Sequence, residues 1–201
     1  ARRQRQMCIR DSPLSDVRVR QALNYATNKD ALIQVVTFGT GKVMKSFMSS
    51  TTPLYDAAQK GFPYDLAKAK SLLAATKYKN GFEVSVMATS GSADDLALLT
   101  AMQQMWGAIG VRLKIEQLDA ATKTARYRAN DFQMRTGAWT NDINDPSQIT
   151  SYYAIFDNIE SVHTGFKNAE IDKLFAQSQQ ELSRVNRASQ YRRIQTIYQQ
   201  A

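Results

Sequence analysis

The stretch from Asn80 to Leu118 constrains this chain more than any other. It opens with the turn pair Asn80-Gly81 and continues as FEVSVMA, where Phe82, Val84, Val86 and Ala88 alternate with Glu83, Ser85 and Met87. Alternation with period two describes a strand with one face buried. Residues 93–109 then place Leu98, Met102, Met105 and Ile109 along one side of a helix, and Gly110 ends it. After the glycine, VRLKIEQL alternates again, with Val111, Leu113 and Ile115 directed inward. Strand, helix and strand within roughly 40 residues form a βαβ unit, whose two strands run parallel. The expected fold class is therefore α/β.

The flanking segments read as helices and a third strand. Ser15 is expected to cap a helix with Asp16 in its first turn, and Val19, Ala22, Leu23 and Ala26 recur at i, i+3, i+4 and i+7. Asn28 is expected to cap a second helix carrying Leu32, Ile33, Val35 and Val36, stopped near Gly39. Periodicity fades from Thr40 to Pro63, where Gly41, Pro53, Gly61 and Pro63 mark a loop-rich crossing. Asp65 caps a short helix packing Leu66, Ala69 and Leu73. A helix near 120–129 leads to FQMRTGAWT, a third strand. Asn168 and Asn186 each begin a long polar helix. The first packs Ile171, Leu174, Phe175 and Leu182, and the second Tyr191, Ile194 and Tyr198. No internal repeat or low-complexity segment is present.

The head of the chain stands apart. Residues 2–12, RRQRQMCIRDS, hold four arginines and the single cysteine, and they resemble the in-frame translation of a transposon-based sequencing adaptor. Residues 1–12 are therefore set aside as a non-native head and excluded from fold reasoning, as fusion scars are. A basic nucleic-acid-binding arm is the competing reading. Without the head, 22 basic residues face 17 acidic ones, so +5 of the formal +8 remains. That charge does not by itself mark a nucleic-acid binder. The remainder also has no cysteine and one histidine, His163, which excludes a disulfide framework, a thiolate nucleophile and a His-rich metal site within it. No cofactor or metal is expected. No window approaches the roughly 20 apolar residues of a membrane span.

GAWTNDINDP, residues 137–146, follows the third strand. Ligands of α/β sheets bind beyond the carboxyl ends of parallel strands. Trp139 offers a flat apolar face there, and Asn141, Asp142, Asn144 and Asp145 offer polar groups. A carboxylate beside an aromatic ring can seat an ammonium by a charge-assisted hydrogen bond and cation–π attraction. The plain alternative is a turn, with Asp145 before Pro146 capping the next helix. Other patterns carry less. Asp94-Asp95 sits where a helix N-terminus attracts negative charge. Gly39-Thr40-Gly41-Lys42 lacks the phosphate-loop pattern, and Asp142 with Asp145 lacks EF-hand spacing. His163 reads as a surface-loop residue. Met44, Met48, Tyr152 and Tyr153 read as packing, and Arg126, Tyr127 and Arg128 as an exposed helical face.

Five segments in order are similar to one family: PLSDVRVRQALNYATNKDALIQVVTFGTG, YDLAKAKSLLA, NGFEVSVMAT, AMQQMWGAIGVRLKIEQLD and DFQMRTGAWTNDINDP. They resemble the extracytoplasmic solute-binding proteins of peptide- and nickel-type ABC importers, family 5. Asn28 departs mildly, standing where an acidic residue is usual. The resemblance implies one lobe of a periplasmic-binding-protein-like type II fold, a mixed sheet flanked by helices. Residues 13–201 would form most of the second, C-terminal lobe, truncated at both ends. It further implies a monomeric, non-enzymatic receptor that captures peptides outside the cytoplasmic membrane and delivers them to a permease. The receptor would be periplasmic, or lipid-anchored in a Gram-positive organism, with no role for nucleic acid. In peptide-binding members the aspartate two residues before an Asn-acidic-Pro segment takes the ligand's α-amino group. Here that residue is Asp142, with Trp139 and Asn141 on the same edge. Two other classes stay open: a hydrolase or transferase using Asp142 and Asp145 as an acid–base pair, and a peptide-binding sensor or chaperone without a transporter.

Overall fold

A computed structural model describes residues 12–138, 140–158 and 165–201. They fall into two compact units. The first holds the described parts of Ala1–Val43 and Phe62–Ala138, and the second those of Met44–Gly61 and Trp139–Ala201. The chain therefore passes between the units three times.

In the first unit, α1 (Val17–Ala26) starts one residue later than expected. Ser12 caps a short 3-10 turn, Pro13–Ser15, and Asp16 caps the helix by accepting from Arg18 N. A carboxylate is the stronger acceptor for orphan helix N–H groups, and Asp16 has the extended backbone a cap needs. The stripe Val19, Ala22, Leu23 and Ala26 is fully buried as expected. Asn28 caps α2 (Lys29–Thr37), its Oδ1 accepting from Ala31 N at 3.0 Å. No residue of α2 is fully buried, however, and Val35 is half exposed, so its apolar stripe is covered in part. Phe38 ends it in the left-handed region, followed by Gly39. Asp65 caps α3 (Leu66–Ala74), which buries Ala69 and Leu73.

The sheet has the order β2-β1-β3, and its described pairings are all parallel. β1 (Phe82–Thr89) pairs along its whole length with β2 (Val111–Leu118), from Phe82 opposite Val111 to Thr89 opposite Leu118. The crossover is α4 (Ala93–Gly107), as the spacing predicts. β1 departs from simple alternation, because Met87, on the face read as exposed, is as buried as Val86 and Ala88. It is the middle strand, and the middle of a parallel sheet is covered on both faces.

The buried edge of α4 is also rotated from the expected one. Leu99 and Trp106 are its buried residues, with Met102 and Met105 packed beside them and Ile109 just beyond the helix. The Trp106 indole donates to Thr27 Oγ1 at 2.9 Å, and that hydroxyl donates to Leu23 O at 2.7 Å. A tryptophan with its one donor satisfied brings a large apolar area into the core. α5 (Ala120–Arg128) follows β2, capped by Asp119, and β3 (Met134–Arg135) is two residues long.

The second unit is helical: α6 (Pro146–Ala154), α7 (Ala169–Ser178) and α8 (Arg184–Gln200). Its core joins Met48, Ile149, Ala154, Ile171, Tyr191, Ile194 and Ile197. α8 begins at Arg184 with Ser183 as its cap, not at Asn186, and Leu182 lies fully exposed in the α7–α8 corner. The loop-rich crossing belongs here. Met48 is fully buried, and Gln195 of α8 holds the loop at both ends of its amide, donating to Leu54 O and accepting from Asp56 N, each at 3.2 Å.

Gly81 and Gly110 precede the paired strands, both in the left-handed region. A Cβ on Gly81 would overlap the Gly110 carbonyl oxygen, a backbone atom that cannot swing aside. Gly81→Ala should therefore cost more than about 1 kcal/mol, through a forced positive φ and a backbone clash. Gly91→Ala, which has a positive φ but open space around it, should cost less. Urea unfolding of the two variants measures the difference.

Candidate functional site

The segment after β3 carries two aspartates three residues apart, and their environments differ. Asp145 is the cap of α6. Its Oδ1 accepts from Ser147 N at 2.9 Å, and Pro146 occupies the first helical position. Arg187 of α8 closes on the same carboxylate from the other side with two parallel bonds, Nη1 to Oδ2 and Nη2 to Oδ1, each 2.8 Å. Arg187 Nε also donates to Ser178 O at the end of α7, and the guanidinium lies over the Tyr191 ring, 5.3 Å from its centroid. One side chain thus ties the start of α6 to the end of α7 and to α8. The Arg187 bonds hold the Asp145 carboxyl well below the usual carboxylate range, against the opposing effect of burial. A carboxylate so engaged is a poor proton shuttle. The geometry gives the Asp142–Asp145 acid–base pair no second free carboxylate.

Asp142 is exposed and is held by a neutral partner. Gln148, in the first turn of α6, donates from Nε2 to Asp142 Oδ2 at 2.9 Å. Its Oε1 accepts from the backbone N–H groups of Asp142 and Ile143, at 2.8 and 3.2 Å. The amide therefore folds the segment back onto the helix and orients the carboxylate without neutralising it. Among the described residues no cation forms an ion pair with Asp142. An anionic group with fixed direction, open to solvent and lacking a counter-charge can take a cationic ligand group. Asn141 is exposed beside it. Trp139 and His163 lie outside the described residues.

The remaining candidates resolve as structure. Thr40 and Gly41 both bond back to Thr37 at the end of α2, so the GTGK stretch is a helix-terminal turn. Arg126 is not merely part of an exposed face. It pairs with Glu116 at 2.8 Å and Asp131 at 3.2 Å, while Arg135 stacks 4.2 Å from the Tyr127 ring centroid. Met48 and Tyr153 join the second core, whereas Met44 is half exposed. No group of three or more His, Cys, Asp or Glu among the described residues could hold a metal ion. Sequence reasoning missed Gln148 and Arg187. A glutamine in the first turn after Asp-Pro hints at the former, but nothing local points to an arginine 42 residues downstream.

The parallel sheet flanked by helices superposes on solved periplasmic binding proteins of the type II fold, and that comparison gives the class. HbpA2 from Haemophilus parasuis superposes with a TM-score of 0.88 at 28% identity, over 94% of this chain and 38% of that one. The family described as bacterial extracellular solute-binding proteins, family 5 middle, matches residues 5–160, and the chain belongs to it. Among curated relatives, heme-binding protein A of Haemophilus influenzae is 29% identical over 191 residues, covering 92% of this chain and 35% of that protein. The dipeptide-binding protein of Escherichia coli K12 is 32% identical over 142 residues, 69% of this chain and 26% of that protein. The chain thus spans about a third of the length of the relatives it matches. Proteins of this family work in the periplasm or outside the cell.

The two roles of Asp145 separate by mutation. Asp145→Asn keeps a capping oxygen but loses the negative charge that pairs with Arg187, and should cost about 1 kcal/mol at pH 7, given the partial exposure of the pair. Asp145→Ala should lose about 1 kcal/mol more with the cap. Because the folded pKa is depressed, the charge contribution is complete above the unfolded value near 4 and is lost as pH falls below it. The gap between wild type and Asp145→Asn should therefore narrow between about pH 5 and pH 2, as followed by urea midpoints.

Proposed function

We propose that this chain is part of the substrate-binding component of an ABC importer, one that captures di- or oligopeptides outside the cytoplasmic membrane and hands them to a permease. Asp142 takes the α-ammonium of the ligand, Trp139 and Asn141 are further ligand contacts, and the protein acts as a monomeric receptor rather than an enzyme. The observation that carries this reading is the exposed Asp142 carboxylate, oriented by Gln148 and unmatched by any described cation. A relative named as a dipeptide-binding protein supports the peptide class. The heme-binding relative is the reason the ligand needs a direct test.

On this reading residues 13–201 are the greater part of one lobe, and a second lobe supplies the other wall of a cleft. Closure expels water, and the Asp142–ammonium attraction strengthens as screening falls. A ligand that touches both lobes biases the open–closed equilibrium by its differential affinity. Lipid anchoring applies if the source is Gram-positive, and residues 1–12 are foreign to the protein. Sequencing genomic DNA across the Ser12–Pro13 junction tests that last point. Native codons that continue the family sequence upstream of Pro13 without the adaptor confirm it, and the same arginine-rich head in the genome refutes it.

The functional test uses calorimetry on the parent protein recovered from the same DNA. An Ala-Phe dipeptide should bind, N-acetyl-Ala-Phe should bind at least tenfold more weakly, and Asp142→Asn should lose a similar factor. Equal affinity of wild type and Asp142→Asn for the free dipeptide would remove Asp142 from the ligand site.

A further inference from the structure

Gln148 is the third residue of α6, three places after the cap Asp145. A Glu or Gln at that place ordinarily reaches back to the backbone N–H of the cap itself. Gln148 reaches further. Its Oε1 accepts from Asp142 N at 2.8 Å and from Ile143 N at 3.2 Å, and its Nε2 donates to Asp142 Oδ2 at 2.9 Å. Backbone N–H groups can only donate, so they fix which end of the amide is oxygen and leave its NH2 to the carboxylate. Every group in this tie belongs to the second unit.

The residue type at 148 is not the one the helix alone would favour. An acid in the first turn is stabilised by the helix N-terminus, and the first turn of α6 has none. A glutamate could accept from the same two N–H groups. It could not donate to Asp142 at neutral pH, and the two carboxylates would repel. A lysine could reach Asp142, but it would neutralise the charge and could not accept from the backbone. An amide supplies acceptor and donor in one side chain and adds no charge. The other acid of the segment, Asp145, is paired with Arg187. Residues 141–148 therefore present one negative charge unmatched among the described residues, that of Asp142.

We infer that residue 148 is the charge selector of the binding site. Its uncharged amide holds Asp142 in place and leaves the site one net negative charge, so a ligand must bring a positive one. A neutral ligand end would cover that carboxylate without pairing it, and an unpaired charge removed from water is costly. The role needs no contact between Gln148 and the ligand, because it acts through Asp142. It rests on the assignment of Asp142 to the ligand ammonium, whereas the tie between Gln148 and residues 142–143 does not.

Two substitutions separate the tie from the charge. Gln148→Met is similar in size and uncharged but cannot make these bonds, and Gln148→Lys brings a counter-charge to Asp142. Hydrogen exchange on the parent protein should show the amides of Asp142 and Ile143 at least tenfold faster in both variants, since both lose the acceptor Oε1. Unchanged exchange overturns the tie. Calorimetry with Ala-Phe and N-acetyl-Ala-Phe then reads the selector. Gln148→Met should bind Ala-Phe more weakly than wild type yet still prefer it to the acetylated peptide by roughly tenfold, whereas Gln148→Lys should bind the two within about twofold of each other. A Lys variant that keeps the wild-type preference, or a Met variant that loses it as completely as Lys does, overturns the selector role. If Asp142→Asn leaves the affinity for Ala-Phe unchanged, the ammonium assignment falls and the selector falls with it, while the exchange result still decides whether Gln148 ties the segment to α6.

Discussion

The parallel pairing of β1 with β2 is the constraint on which the first unit depends. A parallel pair cannot be closed by a hairpin, so the chain must cross over, and α4 is that crossover. The crossover covers one side of the sheet, and the helices before β1 bring further apolar surface to the same core. Trp106 binds this arrangement together, because its indole reaches the hydroxyl of Thr27 and so couples α4 to the end of α1. Parallel strands also point their carboxyl ends the same way. That is why Thr89 and Thr136, 47 residues apart in sequence, meet over one lysine.

The two aspartates after β3 show how environment, not residue type, assigns a role. Asp145 is engaged by a helix N-terminus and by both arms of Arg187, so its charge is consumed in holding three helices. Asp142 is engaged by an uncharged amide, so its charge remains available while its direction is set. Charge neutralisation in one case and orientation without neutralisation in the other make the first a structural device and the second the better ligand candidate.

Much of this was legible from local pattern. The βαβ unit, the caps at Asn28, Asp65 and Asn168, and the buried stripe of α1 arise from periodicity and from the acceptor chemistry of short polar side chains. The misses share a cause. The cap expected at Ser15 falls to Asp16, and the last helix begins at Arg184 behind Ser183 rather than at Asn186, because several adjacent residues can cap and the backbone conformation chooses among them. Leu98 gave way to Leu99 and Trp106 because α4 is apolar over more than one face, and only its neighbours decide which edge turns inward. The period places Leu182 in the core, but it falls in a corner past the end of α7 and is exposed. For the candidate site, Asp142 and Asn141 were visible as polar residues after a strand, whereas Gln148 and Arg187 were not.

The sequence by itself determined the α/β class, the parallel pair and the position of the polar segment, because each is written in spacing and residue type along a short stretch, while the family shows only as a resemblance carried by five segments in order. Tertiary structure alone decided which carboxylate is spent on an arginine 42 residues away and which stays open, and that a lysine on α5 clasps the ends of two strands. Such choices depend on distances between side chains remote in the chain, and one-dimensional pattern does not encode them.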